Sequence, residues 1–528
     1  MDTLTRRRFS TLLAGTAAAV AGCSSLGRPY ERVVDMVADA GCDPSGTEPC
    51  QDAIRRVAAD DTLLRFPTGT FLISEPTVID DVDRLGIVGT GRTRLRAAEG
   101  FGGKLLNLQV GELSFQDVDI DLEAPNTTAG LRIVADRGFR LENVEFHGRG
   151  THTDPETVSA LSPSVTSPDG VGIVKDLVAR QGSAWAHYRG GSGRGGIHVG
   201  GDHEGTLRVI DCHLAEFGNN GIYGNDTPGN VQVEGGVYRN NNVAGIRIGG
   251  AGSYVDGALV EVDPARYTGP RTEEGYSFNM RGIILAQKPE KWGWKDAGVE
   301  IRNCDIRIAE NPSGSSAAIH AWHTARTVSV CDTTIRMDED NPAIRRAPQD
   351  DTLRRPSSTG ERWVRCENVT VEGRAVGTPV FQFQNADDSR VTDCRISAPG
   401  AGCDGILFEA CRGCLVDDGS IVTTRYPVYV RARGRLPGND DCILTFAHGP
   451  RLETDDRRLA AIQDDDKSTR RLASKGWFSS ERCLDGRTLS AVARPSGVEG
   501  APERDANVAV TGSNGRELVV ASVEPIHR

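Results

Sequence analysis

The sequence predicts an all-β protein, a single-stranded right-handed parallel β-helix of about eleven turns closed by an N-terminal cap. Three observations lead there. A short strand-like unit recurs at intervals such as 26 residues from Asp117 to Asn143 and 24 from Asp211 to Gly235. Glycine occupies 62 of 528 positions while aromatics make up only 5%, so bulky side chains are too few to fill one large spherical core, whereas thin stacked layers need only a narrow one. The only continuous apolar run lies near the N-terminus, which excludes a polytopic membrane protein. A formal charge of −12 argues against a nucleic-acid partner, because phosphate neutralisation needs basic stripes. Lysine stands at only seven positions, and an acidic, lysine-poor surface suits solubility in high salt.

Residues 1–22 read as an address. Arg6, Arg7 and Arg8 precede Leu12-Leu13-Ala14 and a run of small residues ending in Val20-Ala21-Gly22-Cys23. The segment resembles a twin-arginine export signal followed by a lipobox, which implies lipid modification of Cys23 and attachment at the outer face of the cytoplasmic membrane. An ordinary cleaved signal with Cys23 incidental is the alternative. Residues 23–37 then form a tether, 38–100 the cap and first turn, 101–449 the β-helix and 450–528 an appendage.

The repeat carries the fold. A polar residue or glycine is followed by inward, outward and inward positions, as in Asp117-Val118-Asp119-Ile120, and the unit returns at Asn143, Asp211, Gly235, Gly257, Asn303, Asp332, Asn368, Asp393, Asp418 and Asp441. A second phase precedes most of these, as in Gly196-Ile197-His198-Val199 and Gly245-Ile246-Arg247-Ile248. Period-two alternation makes each a short strand, and such strands bury their inner faces only by stacking. Cys212, Cys304, Cys394 and Cys442 share the first inward position with Val118 and Val144, so they read as small core hydrophobes. Cys411 and Cys414 form a lone C-x-x-C, too little for zinc. Cys42 and Cys50 flank a loop and are the best disulfide candidate.

Ahead of the first turn stand Asp43-Pro44-Ser45-Gly46, a helical Gln51–Val57 stretch and Phe66-Pro67-Thr68-Gly69-Thr70-Phe71. With these motifs the chain resembles the pectate-lyase-like β-helix superfamily over roughly residues 38–446. The resemblance implies the architecture and its cap. It leaves function among lyases, hydrolases, epimerases, tailspikes and adhesins, and none of the polygalacturonase or epimerase sequence blocks occurs.

The site therefore comes from the second phase, whose outward positions are Arg132, His198, Tyr223, Arg247, Ile284, His320 and Leu407. Turns stack about 4.8 Å apart, so these side chains form one stripe, polar early and apolar late. Two insertions, 147–195 and 261–281, are expected to wall it, the first bringing His147, His152, Asp154, Asp169, Lys175, His187 and Tyr188 near. Asp202, Asp226, Lys288, Lys291, Trp292, Trp294 and Trp322 follow the stripe, and tryptophan offers flat apolar faces to sugar rings.

The chemistry these residues suit is β-elimination on an acidic glycan. Arg132 or Arg247 would neutralise the sugar carboxylate, His198 or His320 take the adjacent carbon proton, and Tyr223 protonate the leaving oxygen. Hydrolysis would instead use a carboxylate pair, best Asp202 with Asp226. A glycan-binding or adhesive surface protein without catalysis is the reading from another class. No cofactor is required by the sequence, and Ca²⁺ is left open.

Overall fold

The structure, a computed structural model, describes residues 28–152, 159–183, 193–270, 280–309, 316–349, 357–358, 360–374 and 378–431, with short strands beyond them up to Asn507–Val508. It is a right-handed parallel β-helix of about 14 turns. Three strand columns run its length. Register in the second column places Leu64, Ile87, Phe115, Leu141, Val174 and Val209 in one inward ladder that continues through Val233, Val255, Ile301 and Val330. All of these side chains are buried. Burial of one such aliphatic residue per column and turn contributes about 1.5–3 kcal/mol each, so stability grows by accretion of turns.

The polar residue opening each repeat has a backbone reason. Asp117, Asn143, Asp211, Asn303, Asp332, Asn368, Asp393 and Asp418 all hold φ between 49° and 58°. That left-handed corner between the second and third columns admits Asn, Asp or Gly and penalises other side chains. Neighbouring corners also bond to each other: Asn368 Nδ2 donates to Asp332 Oδ1 at 2.7 Å.

The turn count exceeds the expected eleven because repeats were hidden. Asp176-Leu177-Val178-Ala179 has the same form, with Asp176 at φ 53°, and belongs to a full turn, Leu161–Val165 and Val171–Ala179, inside the first insertion. Pro163 within that turn reads against a strand. At the ends, Arg32–Asp35 already pairs with Thr62–Phe66, while Arg451–Thr454 and Ala460–Gln463 still pair in parallel with the helix. Thr469–Leu472 then pairs antiparallel with Ala460–Gln463.

The cap forms as expected around helix Gln51–Val57, which buries Ile54 and Val57. Asp43 ties its loop by accepting from the Thr47 hydroxyl at 2.6 Å and from the backbone N–H of Ser45 and Thr47 at 2.9 and 2.8 Å, and these bonds, the Thr47 hydroxyl foremost, hold its carboxyl below the usual range. Cys42 and Cys50 lie together but unbridged, as hydrogen-bonded buried thiols. Cys212 and Cys394 are buried in the ladder, and burial pushes each thiol up to about 12, which makes them inert. Cys23 and Cys442 lie outside the described residues.

Candidate functional site

Strand register assembles the stripe. Along the first column, Asn107 lies opposite Arg132, Arg132 opposite Ser162, and the next rungs are His198, Tyr223, Arg247, Ile284, His320, Arg345, Gln382, Leu407 and Tyr429. The seven residues read from the sequence share this column. Asn107, Ser162, Arg345 and Gln382 belong to it as well. Leu105-Leu106, Ala160-Leu161 and Val380-Phe381 ahead of Asn107, Ser162 and Gln382 lack the small-residue-then-Ile or Gly-Leu opening of the other rungs, whereas Ala343-Ile344 ahead of Arg345 has the same form as Ala318-Ile319 ahead of His320.

The central rungs touch. His198 and Tyr223 meet edge to face with ring centroids 5.1 Å apart. The Arg247 guanidinium lies 5.2 Å from the Tyr223 ring centre and 4.3 Å from that of Trp322, so it is buried between two aromatic faces and fixes both. Ile284 is covered by Val243, Ala244 and Ala286, with Trp322 packed against them. His320 is buried, its Nδ1 2.7 Å from Ser316 Oγ. Burial first, then Arg281, Arg345, Arg247 and Arg346, push its imidazole well below the ordinary range. Only His198 of the two imidazoles is exposed. Desolvation by the walls around it, and next the Lys104 charge, lower its pKa, Asp226 opposing, so it is neutral at pH 7.

One wall is the loop after strand Ile283–Leu285. It folds back across two earlier turns, where Lys288 pairs with Asp226, Lys291 approaches the same carboxylate at 3.4 Å and Trp292 Nε1 donates to it at 3.2 Å. Burial alone would raise the Asp226 carboxyl, but the Lys288 hydrogen bond and charge, with Trp292 and Lys291, outweigh it and hold the group low. Trp292 lies over Gly201, where a Cβ would stand 2.1 Å from its ring; only glycine lets the indole close on the backbone. Trp292 is 41% exposed, and Trp294 on the same loop is half-buried. Arg132 reaches Asn107 at 3.0 Å and exposed Asp202 at 3.5 Å.

The described parts of the two insertions differ from the expected walls. The first contributes a turn of the helix itself, with Lys175 on the second column paired to Glu142 at 2.8 Å. His147 stands on the third column, 2.9 Å from Asp119. The described part of the second packs Tyr267 and Thr268 against Ser183, Arg149 and Glu216, also on that side. Asp154, His187 and Tyr188 lie outside the described residues. His203, next to Asp202, is structural: its Nδ1 accepts from the Val165 N–H at 3.1 Å and its Nε2 faces the Asn230 carbonyl at 3.0 Å.

Two clefts open on the third column, one of about 820 Å³ bordered by Asp117, Asn143, Glu145 and Asp176, the other of about 410 Å³ bordered by His147, His213, Glu216 and Arg239. Several of their charges are paired with each other or with neighbours, as in Arg180 with Glu145 and Arg239 with Glu261. On the stripe Lys288 and Lys291 meet Asp226, Arg132 meets Asp202 and Arg345 lies near Glu409, while Lys104 and Arg247 add further positive charge. Among the described residues no group of three or more His, Cys, Asp or Glu side chains gathers to hold a metal, and no helix is long and apolar enough to cross a membrane.

No family model and no curated protein sequence matches the chain. Solved structures do. The Agl-KA catalytic domain is 12% identical, with 83% of this chain and 68% of that one covered and a TM-score of 0.39. The A-module of the Azotobacter vinelandii mannuronan C-5 epimerase AlgE4 is 16% identical over 71% of this chain and 96% of its own, TM-score 0.38. PfbA, a surface adhesin of Streptococcus pneumoniae, is 10% identical over 93% and 100%, TM-score 0.37.

Proposed function

We propose that the protein is a surface-attached, polysaccharide-active enzyme of the pectate-lyase-like type that cleaves an acidic glycan by β-elimination. The observation that carries this reading is that Arg132, Ser162, His198 and Tyr223 occupy successive rungs of the first column, walled by a cationic, tryptophan-bearing loop on an otherwise acidic chain. Arg132 pairs with the sugar carboxylate and stabilises charge developing beside it. Neutral His198 takes the carbon proton, and Tyr223, one rung away, gives its phenolic proton to the leaving oxygen. Arg247 and Trp322 hold Tyr223 in place. Elimination is favoured over hydrolysis because a hydrolase needs a carboxylic acid protonated near neutrality, and the lysine clasp keeps Asp226 ionised.

Product analysis tests this. Acidic polysaccharides digested with wild-type protein should gain unsaturated-uronate absorbance, and His198→Gln and Tyr223→Phe should each lose it by about 100-fold or more. Full activity in both variants sinks the scheme. A glycan-binding adhesive protein is the second reading, favoured by the Trp292 and Trp322 faces along the groove; tight binding of a glycan that emerges uncut would select it. Export through Arg6 and Arg7 and lipid attachment at Cys23 complete the proposal, the acyl chains contributing about 0.8 kcal/mol per buried CH₂.

A further inference from the structure

Beside the proposed elimination residues lies a pair that the scheme does not use. Lys104 stands opposite Gly130 in register, and its ammonium reaches past that glycine to the next turn, where Nζ donates to Ser162 Oγ at 2.8 Å and to the Ser159 carbonyl at 3.2 Å. Among the described residues no carboxylate pairs with it. Ser162 itself sits on the groove floor, half-buried, between the rungs of Arg132 and His198. A serine hydroxyl bonded to an amine, with the amine oriented by a third group, is the arrangement that activates an oxygen nucleophile.

We infer that Ser162 and Lys104 form a nucleophile and base that hydrolyse ester-linked acyl groups, of the O-acetyl class carried by many glycans, in the same groove. Neutral Lys104 takes the hydroxyl proton as Ser162 Oγ bonds to the ester carbonyl carbon. The C–O bond to the sugar then breaks, the sugar oxygen leaves with the proton held on Lys104, and an acyl-serine remains. Water attacks that ester, giving its proton to Lys104, and the acid departs as Ser162 recovers its proton from the same amine. Arg132 and His198 on the flanking rungs face the oxygen that becomes negative in each half. The charge state fits: desolvation first, then Arg194 and Arg132, press the Lys104 ammonium down to about 7, where a general base works best. Arg194 sharpens this, since it is buried, has Nε and Nη1 unpartnered among the described residues and adds positive charge beside the amine.

The test needs no glycan, so its failure would leave the elimination scheme standing. The full chain is treated with a fluorophosphonate reagent and the modified peptide mapped, variants being matched for folding by circular dichroism. Labelling is expected on Ser162, absent in Ser162→Ala, with a rate that drops tenfold per pH unit below about 7. Lys104→Met and Lys104→Arg should both slow it at least 100-fold; the arginine keeps the positive charge but cannot act as base, which separates base catalysis from mere packing. Parallel loss of aryl acetate hydrolysis is expected. Absence of label on Ser162 in the folded wild type, or undiminished labelling in Lys104→Arg, would overturn the inference.

Discussion

Removing the Asp226 carboxylate with Asp226→Asn should unlatch the groove wall. Lys288 is 9% exposed and Asp226 13%, so the substitution strands a buried ammonium. Losing one partner of a buried pair costs about 3–5 kcal/mol, and the low end applies because Asp226 keeps some access to water. The second partner, Lys291, is 53% exposed and adds at most about 1 kcal/mol. The loop closes locally against the rigid solenoid, so the loss falls on local opening and leaves global unfolding largely unchanged. About 3 kcal/mol corresponds to roughly a 150-fold rise in the opening equilibrium, read by native-state hydrogen exchange of amides in residues 287–296. The double variant Asp226→Leu with Lys288→Met should recover much of the protection, because no buried charge is left unpaired. A pH series adds a sign. The folded carboxyl is held below its ordinary value, so its stabilisation is complete above the ordinary carboxylate pKa and fades only as pH falls through the lowered one. Exchange in 287–296 that is unchanged within twofold in Asp226→Asn would refute the clasp.

Other consequences follow from the same geometry. Gly201→Ala should displace Trp292 from the backbone it covers, seen as a red shift of tryptophan emission with secondary structure unchanged. Asp393→Ala, at a corner with φ 52°, should destabilise by about 1–2 kcal/mol in denaturant titrations, whereas Asp393→Gly should cost markedly less. Burial holds His203 and His213 down to about 4; the unfolded chain therefore takes up these protons first, and stability should fall as pH drops from 6.5 towards 4, by about 3 kcal/mol for His203. Cys23→Ser should release the protein from membranes or leave it as precursor; a processed variant that stays attached would refute the lipobox reading.

The fold was legible because its two determinants are written one residue at a time. Left-handed corners demand Asn, Asp or Gly, and inward ladders demand small aliphatics, so Asp117-Val118-Asp119-Ile120 identifies a turn without any tertiary knowledge. Outward positions follow from alternation, and His198, Tyr223 and Arg247 did fall in one register column. What alternation cannot carry is what covers an outward residue. Ile284 and His320 point away from the core yet are buried, one under Trp322 and its neighbours, the other among arginines from adjacent turns. Nor does it say where a loop returns: Lys288 finds Asp226 62 residues back in the chain, and the described part of the 261–281 insertion packs by Tyr267 and Thr268 against the third column. Ser162 escaped notice because Pro163 beside it argues against a strand.

Whether a glycan lies along the first column is read out by photo-crosslinking a bound acidic oligosaccharide to the intact protein and mapping the attachment sites. Crosslinks are expected in Ile197–His198, Ile222–Tyr223 and residues 287–296. Crosslinks concentrated instead at the third-column clefts around Asp117, Asn143 and Asp176 would contradict that placement.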